Sequence, residues 1–485
     1  MKVLFLLIAM ITLFGNDIKD AIKNNDHKSL NELMLVNDQR FTERSDSLDY
    51  LMYAVYYGDS SSVDLILKAG ADQNIQLSGK TPLMQAVKYK KDKALEALLK
   101  FNPNLLLEDK DKLTSLDYSV KYRNPKAVKL LYTIADRTEE IPSILDKISY
   151  KLNGTDGPYL FYENDTIKKI TVNSENQINS ELFDSEYIEI KRPDCDKFFK
   201  VNIQNKILIP ETEYENIPRF IATSDIEGNF DAFTRILISS GVTDEDLNWI
   251  YGDGHFVFIG DMVDRGEYVT ECLWLLYKLD YEARSAGGQV HYIIGNHELL
   301  NIEDDNRYVV DKYIALAEQL KITNSYLFSE NTVIGRWIRS KNIVEKINDT
   351  ILVHAGLSNE IKLLDLSMLK LNNLFRDYLS GKKSEITEQI VGSFGPLWYR
   401  GLVYDQSKYQ KIDDTKLSEV LSYFNANYIM IGHTVVEKIS TDFNNKVIRI
   451  DLHHPETVEE KVHYLKFNDN KFYNCSELNE EELLF

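Results

Sequence analysis

Five short apolar runs in the second half of the chain end in the same way. RFIATSD (219–225), HFVFIGD (255–261), QVHYIIGN (289–296), TILVHAG (350–356) and YIMIGHT (428–434) each lead into an acid, amide or imidazole next to or near a glycine. Runs this short and this uniformly apolar fit strands buried on both faces, the pattern of a parallel sheet covered by helices. Between the first three lie NFDAFTRILISSG (229–241), which ends in glycine, and VTECLWLLYKLDYEARSAG (269–287), both with helical patterning. The order is β-α-β-α-β, an α/β layout. Ligands of such sheets bind at the carboxyl ends of the strands. Asp225, Asp261, Asn296, His354 and His433 are therefore expected to meet at one site.

That set has a chemistry. Carboxylate and amide oxygens combined with imidazole nitrogens suit Mn, Fe or Zn. Five such donors exceed what one open catalytic ion takes. They suit two ions that share a bridging carboxylate. Two-metal sites hold ions about 3.5–4 Å apart and clamp a phosphoryl group during in-line displacement. Each residue also has a plainer reading. Asp225 precedes a helix, where aspartate caps are common. A lone histidine at a strand end is more often hydrogen-bonded than metal-bound, so His354 and His433 count only in company.

GDMVDRG (260–266), GNHE (295–298), HAGLS (354–358) and GHTVV (432–436) resemble the calcineurin-like metallophosphoesterases, within them the phosphoprotein phosphatase branch. GPLWYRG (395–401) further resembles the bacterial Shewanella-like phosphatases. The resemblance covers residues 217–470. It implies two mixed sheets flanked by helices, and hydrolysis of phosphate monoesters by a hydroxide bridging two divalent metal ions. It implies that Asp225 binds the first metal, that Asp261 bridges both, and that Asn296, His354 and His433 bind the second. His297 becomes the general acid, oriented and charged by Asp264. Arg265 and Arg400 become the grips on phosphate oxygens, which a guanidinium fork matches. Glu298 holds the loop by accepting hydrogen bonds. His255, His291, His453, His454 and His463 are left as structural.

The chain departs from that family at one place. The family's first motif reads D-x-H-G; here it is Asp225-Ile226-Glu227-Gly228. On an extended strand end, residues two apart face one side, so Glu227 is expected to point where the histidine would. As a ligand it makes the first site all oxygen, which favours Mn, Mg or Ca over Zn. Manganese is the expected metal, with Fe, Zn and Mg as alternatives. Two other readings of Glu227 stay open, a weakened site and a base beside the first metal.

The first third repeats itself. DYLMYA (49–54), TPLMQA (81–86) and TSLDYS (114–119) are offset by 32 and 33 residues, and each opens a helical pattern. A period near 33 with T-P-L-x-x-A is the ankyrin signature. Residues 16–137 are thus expected as an all-α ankyrin-like solenoid that binds a protein partner, with an unrelated helical bundle as the rival. Residues 136–150 look like a connector and 150–215 like a small β-rich connecting unit, followed by the metallophosphoesterase domain at 216–485. The apolar start, Val3 to Phe14, has the shape of a secretory signal over residues 1–15 and is too short to span a bilayer. Export to the periplasm or medium is the expectation, with a buried first helix as the alternative. No later stretch is apolar enough to cross a membrane. A net charge of −20 repels phosphate backbones and argues against nucleic acid. The function expected is a metal-dependent phosphatase acting on phosphate monoesters, phosphotyrosine among them. Its rivals are a dinucleoside-polyphosphate or nucleotide hydrolase on the same fold, and an ankyrin scaffold with an inactive phosphatase domain.

Overall fold

The computed structural model describes residues 17–36, 46–405, 410–455, 457 and 460–485. The expected signal segment lies outside the described residues. The chain divides into two compact units, Met1–Ser149 and Tyr150–Phe485.

The first unit is a series of helix pairs. Asp46–Tyr57 is followed by Ser60–Lys68, Pro82–Lys88 by Asp92–Leu99, and Ser115–Lys121 by Pro125–Ile134. The repeat explains the core. Leu51, Leu83 and Leu116 occupy equivalent places and are all buried, as are Ala54, Ala86 and Ser119. Thr81 and Thr114 cap the second and third pairs, accepting from the amides of Met84 and Asp117. Each cap satisfies an amide that the first turn would leave unpaired. The segment read as a connector is a helix, Ile141–Ile148. Its Ile148 is buried in the solenoid core, with Ile141, Ile144 and Leu145 packed against it. Apolar residues three and four apart give this helix a stripe that closes the last repeat.

In the second unit, the strands Arg219–Thr223, His255–Ile259 and Gln289–Ile293 run parallel. Antiparallel strands His463–Asn468, Lys471–Ser476 and Glu481–Leu483 extend their sheet to six. A second six-stranded sheet carries Thr350–Val353, Tyr428–Ile431 and Val447–Arg449 side by side in parallel. The sheets face each other through Phe220, Ala222, Val257 and Ile259 on one side and Leu352, Met430 and Ile448 on the other. Ile221, Phe256 and Phe258 point the opposite way, into a core shared with Phe233 and Trp274 of the covering helices. Burial on both faces is why these strands are apolar throughout.

The strands of the expected connecting unit belong to the same body. Asp156–Glu163, Thr166–Val172 and Ile178–Phe183 form one small sheet, and Tyr187–Lys191 pairs with Phe198–Asn202. Leu160, Ile170, Ile188, Phe199 and Val201 join the core that holds Trp274 and Tyr277. Trp274 Nε1 donates to the Pro158 carbonyl at 2.8 Å. Alternating strands leave one apolar face to cover, and the helix Val269–Ser285 covers it.

Candidate metal centre

Five strands of the two sheets stop short of a functional residue, which sits just beyond the strand end. Asp225 and Glu227 follow the strand ending at Thr223, and Asp261 follows the one ending at Ile259. His354 and His433 follow those ending at Val353 and Ile431. Asn296 opens the helix Asn296–Ile302. The loops are laced together: the amides of Asp225, Glu227 and Gly228 donate to the carbonyls of Gly260, Asp261 and Met262, each at 2.9 Å.

The glycines beside these residues have a steric reason. A Cβ on Gly295 would lie 2.1 Å from Asp261 Oδ1, and one on Gly432 2.4 Å from Asp225 Oδ2. The carboxylates occupy the space that a side chain would fill. Left-handed backbone recurs here as well. Asp225, Glu227, Asp261, Asp264, Arg265 and His433 all have φ between 48° and 76°. Non-glycine residues adopt this region at a cost, and such conformations gather at functional sites. The extended path expected for Asp225 and Glu227 is therefore not the one taken, although both side chains line one pocket of about 560 Å³.

Asp261 is the hub. Its Oδ1 accepts from the His297 amide at 2.9 Å, and its Oδ2 lies 3.1 Å from His354 Nε2. Ligand atoms of Asp261, His354 and His433 lie within 4.8 Å of one another, and so do those of Glu227, Asp261 and His297. Asp261 belongs to both groups, as a bridging carboxylate would. Asn296 Oδ1 stands 3.0 Å from His354 Nε2 and so joins the first group. Asp225 instead accepts from the His433 amide, at 3.1 and 3.3 Å. Glu227 Oε1 is 2.5 Å from Arg265 Nη1, so the glutamate is held by a guanidinium. Arg400 Nη1 donates to the His433 carbonyl at 2.6 Å and to Thr434 Oγ1 at 3.2 Å, and lines the same pocket.

The donor set fits a divalent cation. His354 Nδ1 lies 2.9 Å from the Ile259 carbonyl, which only accepts, so Nδ1 carries a proton. Its Nε2 then faces two oxygens, Asp261 Oδ2 and Asn296 Oδ1. His433 Nε2 is buried with no hydrogen-bond partner. Burial, then the charges of His354 and Arg400, push His433 well below the usual histidine range, so its lone pair is available. Burial and the neighbouring Asp451 raise Asp225 well above the carboxylate range. Burial also raises Glu227, against the pull of Arg265. A cluster of desolvated acids is costly until a cation joins it.

His297 stands beside this cluster. Its Nδ1 lies 2.7 Å from Asp264 Oδ2. Burial works against its charge, but Asp261 and the hydrogen bond to Asp264 outweigh it and hold the imidazole protonated up to about 9. Asn301, unforeseen in the sequence, donates from Nδ2 to Asp264 Oδ1 at 2.8 Å and is itself fixed by Asn324. Glu298 accepts from the amides of Asp261, Met262 and Gly295 at 3.0, 2.7 and 2.7 Å, fixing the loop around the hub.

Three further residues enter the site. Asp451 is buried on the pocket wall, and burial, with Asp261 and Glu227 nearby, lifts its carboxyl to about 8. His454 Nε2 donates to the Ser224 carbonyl at 2.8 Å and pins the Asp225 loop. Tyr308 lies against His297, 4.8 Å between ring centroids, and under the Arg265 guanidinium at 5.3 Å. His255 and His291 stay away from the site and bond each other at 2.8 Å between the sheets, with His291 on Glu345.

Both units of the chain are similar to known proteins. A family model for calcineurin-like phosphoesterases matches residues 218–437, and one for ankyrin repeats in three copies matches residues 51–140. Shewanella-like protein phosphatase 2 of Arabidopsis thaliana is 25% identical over 300 residues, 51% of this chain and 74% of the relative. Shewanella-like protein phosphatase 1 of Plasmodium berghei is 29% identical over 249 residues, 49% of this chain and 68% of the relative. The crystal structure of a cold-active protein-tyrosine phosphatase from a psychrophilic Shewanella species superposes with a TM-score of 0.62 at 30% identity. That match covers 69% of this chain and all of the Shewanella one.

Proposed function

The chain is a metal-dependent phosphatase of the calcineurin-like phosphoesterase family, and from that premise we propose phosphotyrosine-bearing protein as its substrate and manganese as its working metal. The observation that carries the reading is the His297–Asp264 pair, set beside a buried group of carboxylates and imidazoles that shares Asp261. Asp261, Asn296, His354 and His433 would hold one ion, and Asp225, Glu227 and Asp261 the other. When bound, the pair supplies an ionised water for in-line attack on phosphorus and offsets the charge of the phosphate.

The chain's own residues do the rest. Asp264 accepts from His297 Nδ1, so the ring presents Nε2 to the pocket and delivers its proton to the leaving oxygen. Arg400, braced on the His433 carbonyl, binds phosphate oxygens. Arg265 does the same once phosphate competes with Glu227 for its guanidinium. Tyr268, Val435 and Leu452 line the same pocket, and Tyr268 and Val435 are well exposed. That apolar wall suits the ring of an aryl phosphate, and the named activity of the Shewanella relative points the same way. A phosphotyrosine peptide is expected to turn over about tenfold faster than its phosphoserine counterpart, the size of effect that one pocket contact commands. A dinucleoside tetraphosphate is expected to be slowest of the three. Faster turnover of the dinucleotide or of the phosphoserine peptide would overturn the assignment.

Oxygen donors at the first position support manganese. Glu227→His is expected to keep activity while moving metal preference toward Zn or Fe. Metal content, preference and rate all unchanged in Glu227→Ala would remove Glu227 from the ligand set and leave it as the partner of Arg265.

A further inference from the structure

The pocket wall carries an aromatic residue where the local backbone gives no reason for one. Tyr268 lines the pocket three residues after Arg265 and is 42% exposed. It is also the N-cap of the helix Val269–Ser285, and its side chain caps no amide. Serine, threonine, aspartate or asparagine at this place would satisfy an unpaired amide of the first turn. Against the ring lies the buried Lys312, from the helix Asp311–Leu320. Its Nζ stands 5.6 Å from the Tyr268 centroid and 4.8 Å from that of Tyr313. The buried Asp156 places Oδ1 3.6 Å from the same ammonium. These neighbours also fasten the helix start. Tyr313 Oη donates to the Glu267 carbonyl at 3.0 Å and accepts from the Thr270 amide at 3.3 Å. Tyr159 Oη donates to Asp156 Oδ2 at 2.8 Å and so accepts from Thr270 Oγ1 at 3.0 Å.

We propose, resting on phosphotyrosine as the substrate, that Tyr268 is the residue that selects an aryl phosphate and that Lys312 is the positioning residue that holds its ring. A buried ammonium is costly, and a tight carboxylate pair is the plain way to offset it. Such charge-assisted pairs close to about 2.7–2.9 Å. At 3.6 Å, Lys312 stands outside hydrogen-bond range of Asp156 and within reach of two tyrosine rings. A desolvated cation on a ring face is held more firmly than an exposed one. Charge balance fixes it further. Glu271 Oε2 is buried without a hydrogen-bond partner. Burial, then Asp156, lift this carboxyl to about 8, with Lys312 pulling the other way. One cation thus serves two acids and two rings, and Tyr268 is held with it. A ring already in place loses little freedom when substrate arrives, so its stacking on a phosphotyrosine ring goes into affinity. A seryl phosphate presents no ring and gains nothing. Asp156 and Tyr159 come from the strand Asp156–Glu163, so the small β sheet shapes the substrate wall of the phosphatase.

The test measures kcat and KM of the Mn²⁺-loaded full chain on a phosphotyrosine peptide and on its phosphoserine counterpart. Tyr268→Ala is expected to raise KM for the phosphotyrosine peptide about tenfold with kcat little changed, and to leave both constants for the phosphoserine peptide in place. Tyr268→Phe should behave as the parent does. Lys312→Met should raise the same KM about threefold. Tyr268→Ala/Lys312→Met should lose no more than Tyr268→Ala, because Lys312 acts through the ring. Lys312→Met leaves buried acids without their cation; should it not fold, Asp156→Asn/Lys312→Met removes the pair together. Tyr268 is exposed enough to be changed without disturbing those charges. Equal losses on both peptides, or additive losses in the double variant, would make Lys312 a brace of the fold and overturn its role. An unchanged KM in Tyr268→Ala, in a parent that prefers phosphotyrosine, would overturn this proposal and leave the phosphotyrosine reading standing. A parent that prefers the phosphoserine peptide would overturn both.

Discussion

Asp261→Asn is expected to reduce turnover of nitrophenyl phosphate by more than about a thousandfold, the scale on which charge stabilisation acts in such sites. It should also lower the metal content of the purified protein. Asparagine keeps the shape and can still accept from the His297 amide. It removes the anion common to both groups of donors and presents an NH₂ or a neutral oxygen to His354. Burial tends to raise Asp261, yet His354 and His297 hold it well below the ordinary carboxylate range. The native site therefore keeps this carboxylate charged at every working pH. Elemental analysis and steady-state rates on the same preparation check the result. A variant with unchanged rate and metal content would remove Asp261 from its bridging place.

The second large effect belongs to the proton donor. Asp264→Asn is expected to lower kcat by about 10²–10⁴-fold, the usual worth of a positioned acid. The loss should be greater for phenyl phosphate than for the nitrophenyl ester, whose leaving group scarcely needs a proton. The pH dependence has a definite sign. An imidazolium acts as acid only below its pKa, so activity falls as pH rises through that value. Burial lowers the His297 pKa; Asp261 and then Asp264 raise it, to about 9 in the metal-free chain. Without the Asp264 charge the basic limb moves to lower pH. Histidine resonances of the metal-free protein follow the same shift directly. An equal loss on both esters with a fixed basic limb would mean that Asp264 only shapes the fold.

Much of this site was legible because the sequence repeats one physical device. An apolar strand runs into a glycine, and the glycine leaves room for a carboxylate or imidazole from a neighbouring loop. Gly295 and Gly432 show that directly, since a side chain on either would overlap Asp261 or Asp225. Asp451 escaped because its run, VIRID (447–451), has no glycine beside it, although it too ends a parallel strand with an acid. Asn301 was hidden by its spacing. It lies four residues after His297, hence on the same helix face, and nothing local marks it as a partner of Asp264. The pairing of Glu227 with Arg265 depends on left-handed backbone at both residues, whereas strand patterning assumes an extended chain. The helix Ile141–Ile148 and the strands of 150–215 each present only one apolar face. The cover comes from outside each segment, the distant helix Val269–Ser285 for the strands and the last repeat for Ile141–Ile148, and local patterning does not encode it.

The account rests on two metal ions held at one shared carboxylate. Titrating Mn²⁺ into metal-stripped full-length chain by calorimetry, with nitrophenyl phosphate turnover measured on the same samples, tests it most directly. Two equivalents should bind, and turnover should rise with the filling of the second. Full turnover in excess chelator with no ion bound would contradict the account.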